Sequence, residues 1–421
     1  MKATARALSP LFLSVGVLSL GNGLFTILLG LRMTADGYSS METGLVLGAY
    51  FAGFIPAMLT APSIIARVGH IRGYAAFAAI AGAAVLLLPI VTHFAVWVAV
   101  RVVIGFCLAA LFMTVESWLN VRTENRSRGR LIGLYQAVIL VSVSVAQLAV
   151  GYGEPTGFAL FSAVAMLYAL SLVPVALTRA EPPPLTPPSR LGLRQLLHVS
   201  PLAVAVTFGA GVINSAYSNM GPVFAVCVGM DVHGAGRFMA IGVLSALVMQ
   251  YPFGWLSDRV DRRHVVLGML IGVGVASFTL LLAALYAPAS LFLLAAVFGG
   301  ISFALYAQGV AHANDYAAPG DLVAVSAGLL LAHGIGAILS PALAGVVMDA
   351  LGPAALFAYT GAMAAVLAAF CWYRMGQRQP KPLSEQAPFA PVPETTPLAA
   401  QLDPRVGPGV EPRGDGSASR Q

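Results

Sequence analysis

Charge is what this sequence has least of. Only 10% of its 421 residues are Asp, Glu, Lys or Arg, against about 25% in a soluble domain. Lysine occurs twice, at Lys2 and Lys381, and neither follows a glycine-rich run. A phosphate loop needs such a run ending in Lys-Ser/Thr, so an ATP-driven pump is excluded. Cys107, Cys227 and Cys371 are the three cysteines, each inside an apolar run. They form neither a disulfide framework nor a metal-ligand spacing, and read as packing residues. There is no His-Glu-x-x-His and no cluster of inner-face aspartates for Mg²⁺, so zinc proteolysis and prenyl or phosphoryl transfer lack their motifs. An integral membrane enzyme stays a distant alternative. No enzymatic activity, metal or cofactor is expected.

Apolar surface is what the chain has in excess. It is 58% hydrophobic with a mean hydropathy of +0.83, which reads as a polytopic, all-α membrane protein. Runs with little or no charge place twelve spans, centred on 8–31, 43–66, 72–91, 94–119, 131–153, 155–178, 198–227, 236–257, 265–286, 289–310, 322–348 and 352–373. Two longer runs, 73–100 and 265–311, divide at Pro89 with His93 and at Pro288. The first run follows Lys2 and Arg6 as a signal peptide's would, but its 24 residues and lack of a small-residue cleavage site make it an uncleaved span.

The net charge of +6 does not point to nucleic acid, because the basic residues sit in short loops between spans. Up to Lys381, seventeen lysines and arginines fall on the side of the termini and two, Arg32 and Arg237, on the other. By the positive-inside rule both termini are cytoplasmic, and an inner (plasma) membrane is expected. The partners expected are the lipid bilayer and a small-molecule substrate, with the protein a monomer.

The sequence also repeats itself. A shift of 192 brings Asn22 onto Asn214, Gly44 onto Gly236 and Arg67 onto Arg259; a shift of 194 brings Gly105 onto Gly299, Asn120 onto Asn314 and Gly151 onto Gly345. Two pseudo-symmetric six-helix bundles follow, residues 1–178 and 198–375, with a binding site between them near the midplane. A proline-rich cytoplasmic linker, 179–197, joins the bundles. After them 376–421 holds nine prolines in 46 residues and reads as a disordered cytoplasmic tail.

The loop Gly254-Trp-Leu-Ser-Asp258-Arg259-Val-Asp261-Arg262-Arg263 resembles the G-x-x-x-D-R-x-G-R-R loop of the major facilitator superfamily, with Asp261 in place of the second glycine. Its counterpart, Pro62 to Arg72, has proline for the first glycine and alanine for the aspartate. Arg101-x-x-x-Gly105 is similar to the family's arginine signature on span four. The motifs V-E-S-W-L-N, R-G-R-L-I-G-L-Y and F-A-L-Y…H-A-N-D resemble the YcaD-like bacterial subgroup. The resemblance covers about residues 8–375 and implies the major facilitator fold and secondary transport, without a substrate. The glycine-rich antiporter signature usual on span five is not evident in Gln136–Gly151.

Span four carries Arg101 and Glu116. Fifteen residues of helix rise about 22 Å and leave the two within roughly 60° on the helix wheel. Charges at such depth face a water-filled cavity or partner helices. The resemblance implies that Arg101 binds an anionic group or tunes a proton site; snorkelling or bonding to carbonyls is its rival. Glu116 is expected to pair with Arg67 or Arg72, with proton coupling as the alternative. His333 is the third coupling candidate, against a role in helix packing. Asn22, Phe25, Tyr50, Tyr135, Gln136, Gln147, Asn214, Tyr217, Gln250 and Gln308, with Arg101 and His333, are candidates to line a largely uncharged cavity. Span seven, rich in small residues, is expected to be locally broken there.

The gate residues expected at the inner mouth are Arg67, Arg72, Glu116, Arg128, Arg130, Asp258, Arg259, Arg262, Asp315 and Asp321. Arg67 and Arg72 are expected to meet Asp315 and Asp321 across the two-fold axis. Asp258 is expected to meet Arg122, Arg126, Arg128 and Arg130. The function expected is secondary active transport of a small amphipathic or weakly charged solute by alternating access, with proton-coupled export first. Metabolite uptake by symport or uniport is the alternative.

Overall fold

The computed structural model describes residues 2–121, 128–177, 193–318, 320–377, 379–386 and 388–402. Its first bundle holds α1 (Lys2–Ala35), α2 (Ser40–Val68), α3 (His70–Leu87), α4 (Phe94–Val121), α5 (Arg128–Ala149) and α6 (Phe158–Ala176). A short α7 (Leu193–Val199) leads into the second bundle. That bundle holds α8 (Pro201–Cys227), α9 (Val232–Ser257), α10 (Arg262–Tyr286), α11 (Leu291–Ser302), α12 (Leu305–Asn314), α13 (Leu322–Leu351) and α14 (Ala355–Gln377).

Among the described residues, eleven helical stretches are long and apolar enough to cross a membrane, with α11 and α12 together making one of them. The twelfth crossing is α8. Its 27 residues suffice in length, but Asn214, Ser215, Ser218 and Asn219 dilute its hydropathy.

The expected break lies elsewhere than predicted. Span seven is continuous in α8: its small-residue stretch stays helical throughout, and Pro222 is accommodated inside the helix with the loss of the one bond its missing N–H would make. Span ten is the interrupted one, split at Phe303 and Ala304 between α11 and α12. No proline causes this; the turn closes with Phe303 N bonded to Gly299 O at 3.1 Å and Ala304 N to Ile301 O at 3.3 Å.

Local chemistry sets the helix starts. Ser39 and Glu42 form a capping box at α2, Ser200 caps α8 ahead of Pro201, and Asp231 caps α9. The turns that precede α2 and α9 each hold a left-handed glycine, Gly37 at φ +82° and Gly229 at φ +92°. They are 192 residues apart, the interval of the repeat. At the next turn Gly69 is again left-handed (φ +95°), whereas Asp261, its counterpart, sits at φ −54° and caps α10. The turn there needs no glycine, which accounts for the departure from the family loop.

The two bundles meet most closely at the face opposite the termini. A Cβ on Gly44 would lie 2.2 Å from Pro341 O, and one on Gly345 would lie 2.2 Å from Ser40 O, so α2 and α13 touch backbone to backbone. Asp349 then accepts from Ser40 N and Met41 N, both at 2.9 Å. The symmetry-related seam joins α9 to α5, where a Cβ on Gly236 would lie 2.4 Å from Gln147 O. Such small-residue contacts let helices approach where lipid supplies no hydrophobic drive. Gly44→Val should therefore weaken this closure by about 1–3 kcal/mol. Reactivity of a cysteine at buried Thr43 toward an impermeant maleimide added on that face should rise; unchanged reactivity would refute the seam's role as a closure.

Candidate functional site

Between the seams and the termini-bearing face lies a cavity of about 240 Å³. Asn22 and Thr26 on α1, Gln136 and Gln147 on α5, Ser218 on α8 and Gln250 on α9 face it. Its apolar walls include Ile139, Val143, Val243 and Phe303. Four of the expected cavity residues, Asn22, Gln136, Gln147 and Gln250, thus converge, and both bundles contribute.

Arg101 stands apart from that space. It is 1% exposed, donates from Nη2 to Leu47 O at 3.2 Å, and lies 5.1 and 5.2 Å from the ring centres of Phe25 and Tyr50. Its Nε and Nη1 find no partner among the described residues. Gly105 makes the arrangement possible, since a Cβ there would lie 1.9 Å from Tyr50 O. Its repeat partner Gly299 presses on Gly242 O in the same way. The Arg101-x-x-x-Gly105 signature is therefore a contact of α4 with α2 that buries a cation beside two aromatic faces. Phe25 and Tyr50 serve it rather than the open cavity.

Glu116 is fully buried, and the expected ion pair is absent. No cation pairs with it among the described residues, and Arg67 and Arg72 lie exposed at the membrane edge. Hydroxyls satisfy the carboxylate instead. Tyr135 donates to Oε1 at 2.7 Å, Thr395 donates to the same oxygen and Thr396 to Oε2. Glu116 lies near the C-terminal end of α4, where hydroxyl donors take the role assigned to the arginines.

Two of those donors belong to the tail, which composition reads as disordered. In the structure its described part, as far as Leu402, runs back between the bundles. Lys381 donates to Asp315 O, Phe389 N donates to Asp258 Oδ1 at 2.8 Å, and Val392, Thr396, Leu398, Ala399 and Ala400 are buried. Pro397–Leu402 forms a short 3₁₀ helix against α4, α5 and α13. Prolines forbid a long helix here but not an extended run whose polar groups meet the cavity's own. Asn120 Nδ2 donates to Leu398 O at 2.7 Å, and Asn214 Nδ2 to Glu394 Oε1 at 3.3 Å.

His333 faces the same carboxylate. Its Nε2 lies 3.2 Å from Glu394 Oε2, within ion-pair range but off the line of a hydrogen bond. Its ring meets Tyr306 and Phe51 edge-on. Tyr306, Thr26, Ser218 and Glu394 are contacts the sequence reading misses. Their residue types are common in any span or tail, and only the fold brings them together.

The remaining cavity candidates are structural. Tyr217 is packed among Phe238, Phe298 and Phe303 in the second bundle. Gln308 is fully buried, and its amide finds no partner among the described residues.

Among the described residues no ion pair of the crossed gate is formed. Asp315 lies within the second bundle against Arg262, at 2.9 Å with both side chains at most 2% exposed. Asp258 takes Arg262 at 3.3 Å and the tail's Phe389 N. Arg262 at the start of α10 simply reaches both acids before any residue of the first bundle does. Arg259 covers the ring of Trp255 at 3.9 Å, while Arg130 and Asp321 are exposed and Arg128 is half-buried. Arg122 and Arg126 lie outside the described residues. Beside this cluster, burial would raise the Asp261 carboxyl, but hydrogen bonds and charge from Arg263 outweigh it and hold it below its ordinary value.

Two six-helix bundles around an amide-lined cavity, sealed at one face, define a membrane transporter that works by alternating access. The chain belongs to the Major Facilitator Superfamily, whose profile it matches over residues 11–246 and 228–405. It is 29% identical over 365 residues to an uncharacterized MFS-type transporter YcaD of Escherichia coli O7:K1 (strain IAI39 / ExPEC), a match covering 85% of this chain and 93% of that one. The YcaD of Shigella dysenteriae serotype 1 matches to the same extent. Among solved structures, the nucleoside transporter NupG aligns with a TM-score of 0.68 at 16% identity, covering 89% of this chain and 99% of that one. A bacterial homolog of the human lysosomal transporter Spinster, in an inward-facing and occupied conformation, aligns at 0.71 and 17%, covering 91% and 98%.

The Arg262–Asp315 pair yields a test. Asp315→Asn leaves a buried guanidinium without its main counter-charge, a loss of about 3–5 kcal/mol. Thermal unfolding in detergent should show a clearly lowered Tm, partly recovered when Arg262→Gln is added. A single variant melting with the parent protein would contradict the pairing.

Proposed function

We propose that this transporter moves a small amphipathic or weakly charged solute and couples the movement to protons, in the direction of export. The observation that carries the reading is the cavity itself. Apart from Glu394 and Thr395, which the tail contributes, its polar groups are amides and hydroxyls from both bundles, with apolar walls between them. Amides donate and accept without imposing a charge, so they suit a solute with a few polar groups on an apolar body. A cavity sealed at the opposite face by the glycine seams, and reached from the arginine-rich face, supports loading from the cytoplasm under the positive-inside orientation.

Coupling is assigned to Glu116. With hydroxyl partners and no cation, it can exchange a proton without breaking an ion pair. Arg101, close to the same face of α4 but held by Leu47 O and two rings, supplies a fixed positive field. His333 is the second titratable group within reach of the cavity contents. Arg67, Arg72 and Asp321 are left exposed at the mouth, free to meet when it closes, while Asp315 stays committed to Arg262.

The experiment begins with a thermal-shift screen of purified protein against a metabolite and antibiotic library, to find a solute that stabilises it. Flux of that solute is then measured in proteoliposomes with and without a pH gradient. The parent protein should concentrate the solute only with the gradient, and Glu116→Gln should abolish that dependence while retaining solute exchange. Gradient-independent flux in the parent would make it a uniporter. Coupling that survives in Glu116→Gln would remove Glu116 from the proton path.

A further inference from the structure

We propose that the tail segment Ala390–Leu402 is a tethered inhibitor: it occupies the transport cavity as a pseudo-substrate and blocks the cycle until it withdraws. The inference rests on reading that cavity as the transport site. The tail's contacts include Glu116 and His333, to which the transport role is assigned, and the buried amides of Asn120 and Asn214. Glu394 reaches Asn214 and His333 on the second bundle. Thr395 and Thr396 take up both oxygens of Glu116 on the first. Leu398 and Gln401 accept from Asn120 at 2.7 and 3.3 Å. A single short segment therefore bridges both bundles and lines part of the cavity that remains, with Glu394 and Thr395 on its wall.

The consequences follow from geometry. The bundles must approach each other at this face for the cavity to open at the other, and a segment wedged between α4 and α13 prevents that approach. A solute that needs Asn214 or Glu116 must first displace Glu394 or the two threonines. The anchors nearer the membrane edge, Lys381 on Asp315 O and Phe389 N on Asp258, keep the segment at hand when it leaves. A short linker gives a tethered ligand an effective concentration of about 1 mM, so an intrinsic Kd of about 0.1 mM keeps the site about 90% filled. Weak individual contacts thus suffice, and release remains within reach of a competing solute.

The test needs no substrate. In a chain with Cys107, Cys227 and Cys371 replaced by alanine, a cysteine at Asn120 is labelled with N-ethylmaleimide. The full-length chain should react about tenfold more slowly than one carrying Glu394→Ala, Thr395→Ala and Thr396→Ala, in line with a site about 90% filled. The same acceleration should appear in a chain ending at Gln386, provided it elutes as a monodisperse peak. As a second measurement, Asn120→Cys with Gln401→Cys in the full-length chain should form a disulfide under mild oxidation. Equal labelling rates in all three chains, or no disulfide, would overturn the proposal. If instead the cavity is not the transport site, labelling and cross-linking still succeed, but solute flux in the proteoliposome assay is the same with the disulfide formed and reduced.

Discussion

Everything in this molecule turns on how closely two helices can approach inside a bilayer. Hydrocarbon offers no reward for burying apolar surface, so the bundles adhere where missing side chains let backbones touch. Gly44 against Pro341 O and Gly236 against Gln147 O are two such places, related by the internal repeat and both at one face. They close that face backbone to backbone, with the Asp349 carboxylate accepting from Ser40 N and Met41 N beside them. Because the contact is small and symmetric, the same helices can separate there and close elsewhere as rigid bodies. The cavity's position, and the face from which it is reached, both follow from it.

The second constraint is the cost of polar groups away from water. Asn120, Asn214 and Glu116 are buried, and each has a hydrogen-bonding need that its own bundle does not meet in full. The tail meets those needs in this conformation. Under the proposal made above, a solute or water meets them when the tail withdraws. Arg101 shows the contrasting solution, with a carbonyl and two aromatic faces in place of a mobile partner.

The fold is readily legible in the sequence because a bilayer imposes a simple rule on span length and charge. The span boundaries, the repeat and the convergence of Asn22, Gln136, Gln147 and Gln250 all follow from period and depth. What could not be read depends on partners distant in sequence. The choice of Tyr135, Thr395 and Thr396 over Arg67 for Glu116 is one case, and that of Arg262 for Asp315 is another. The tail is the instructive failure. Nine prolines rule out a long helix and a core of its own, yet a segment without a core can still be ordered by one already built. Tyr217 fails differently, since helical depth does not say which way around α8 it points.

Alternating access around this cavity is the central claim, and two distances measured under one set of conditions test it most directly. Spin labels at Glu154 and Leu351 report on the sealed face, and labels at Arg72 and Asp321 report on the mouth. Pulsed dipolar spectroscopy across a series of pH values would give the two distance distributions. The account predicts that the long-distance population at the sealed face grows in step as that at the mouth shrinks. Distances that vary independently, or lengthen together, would contradict it.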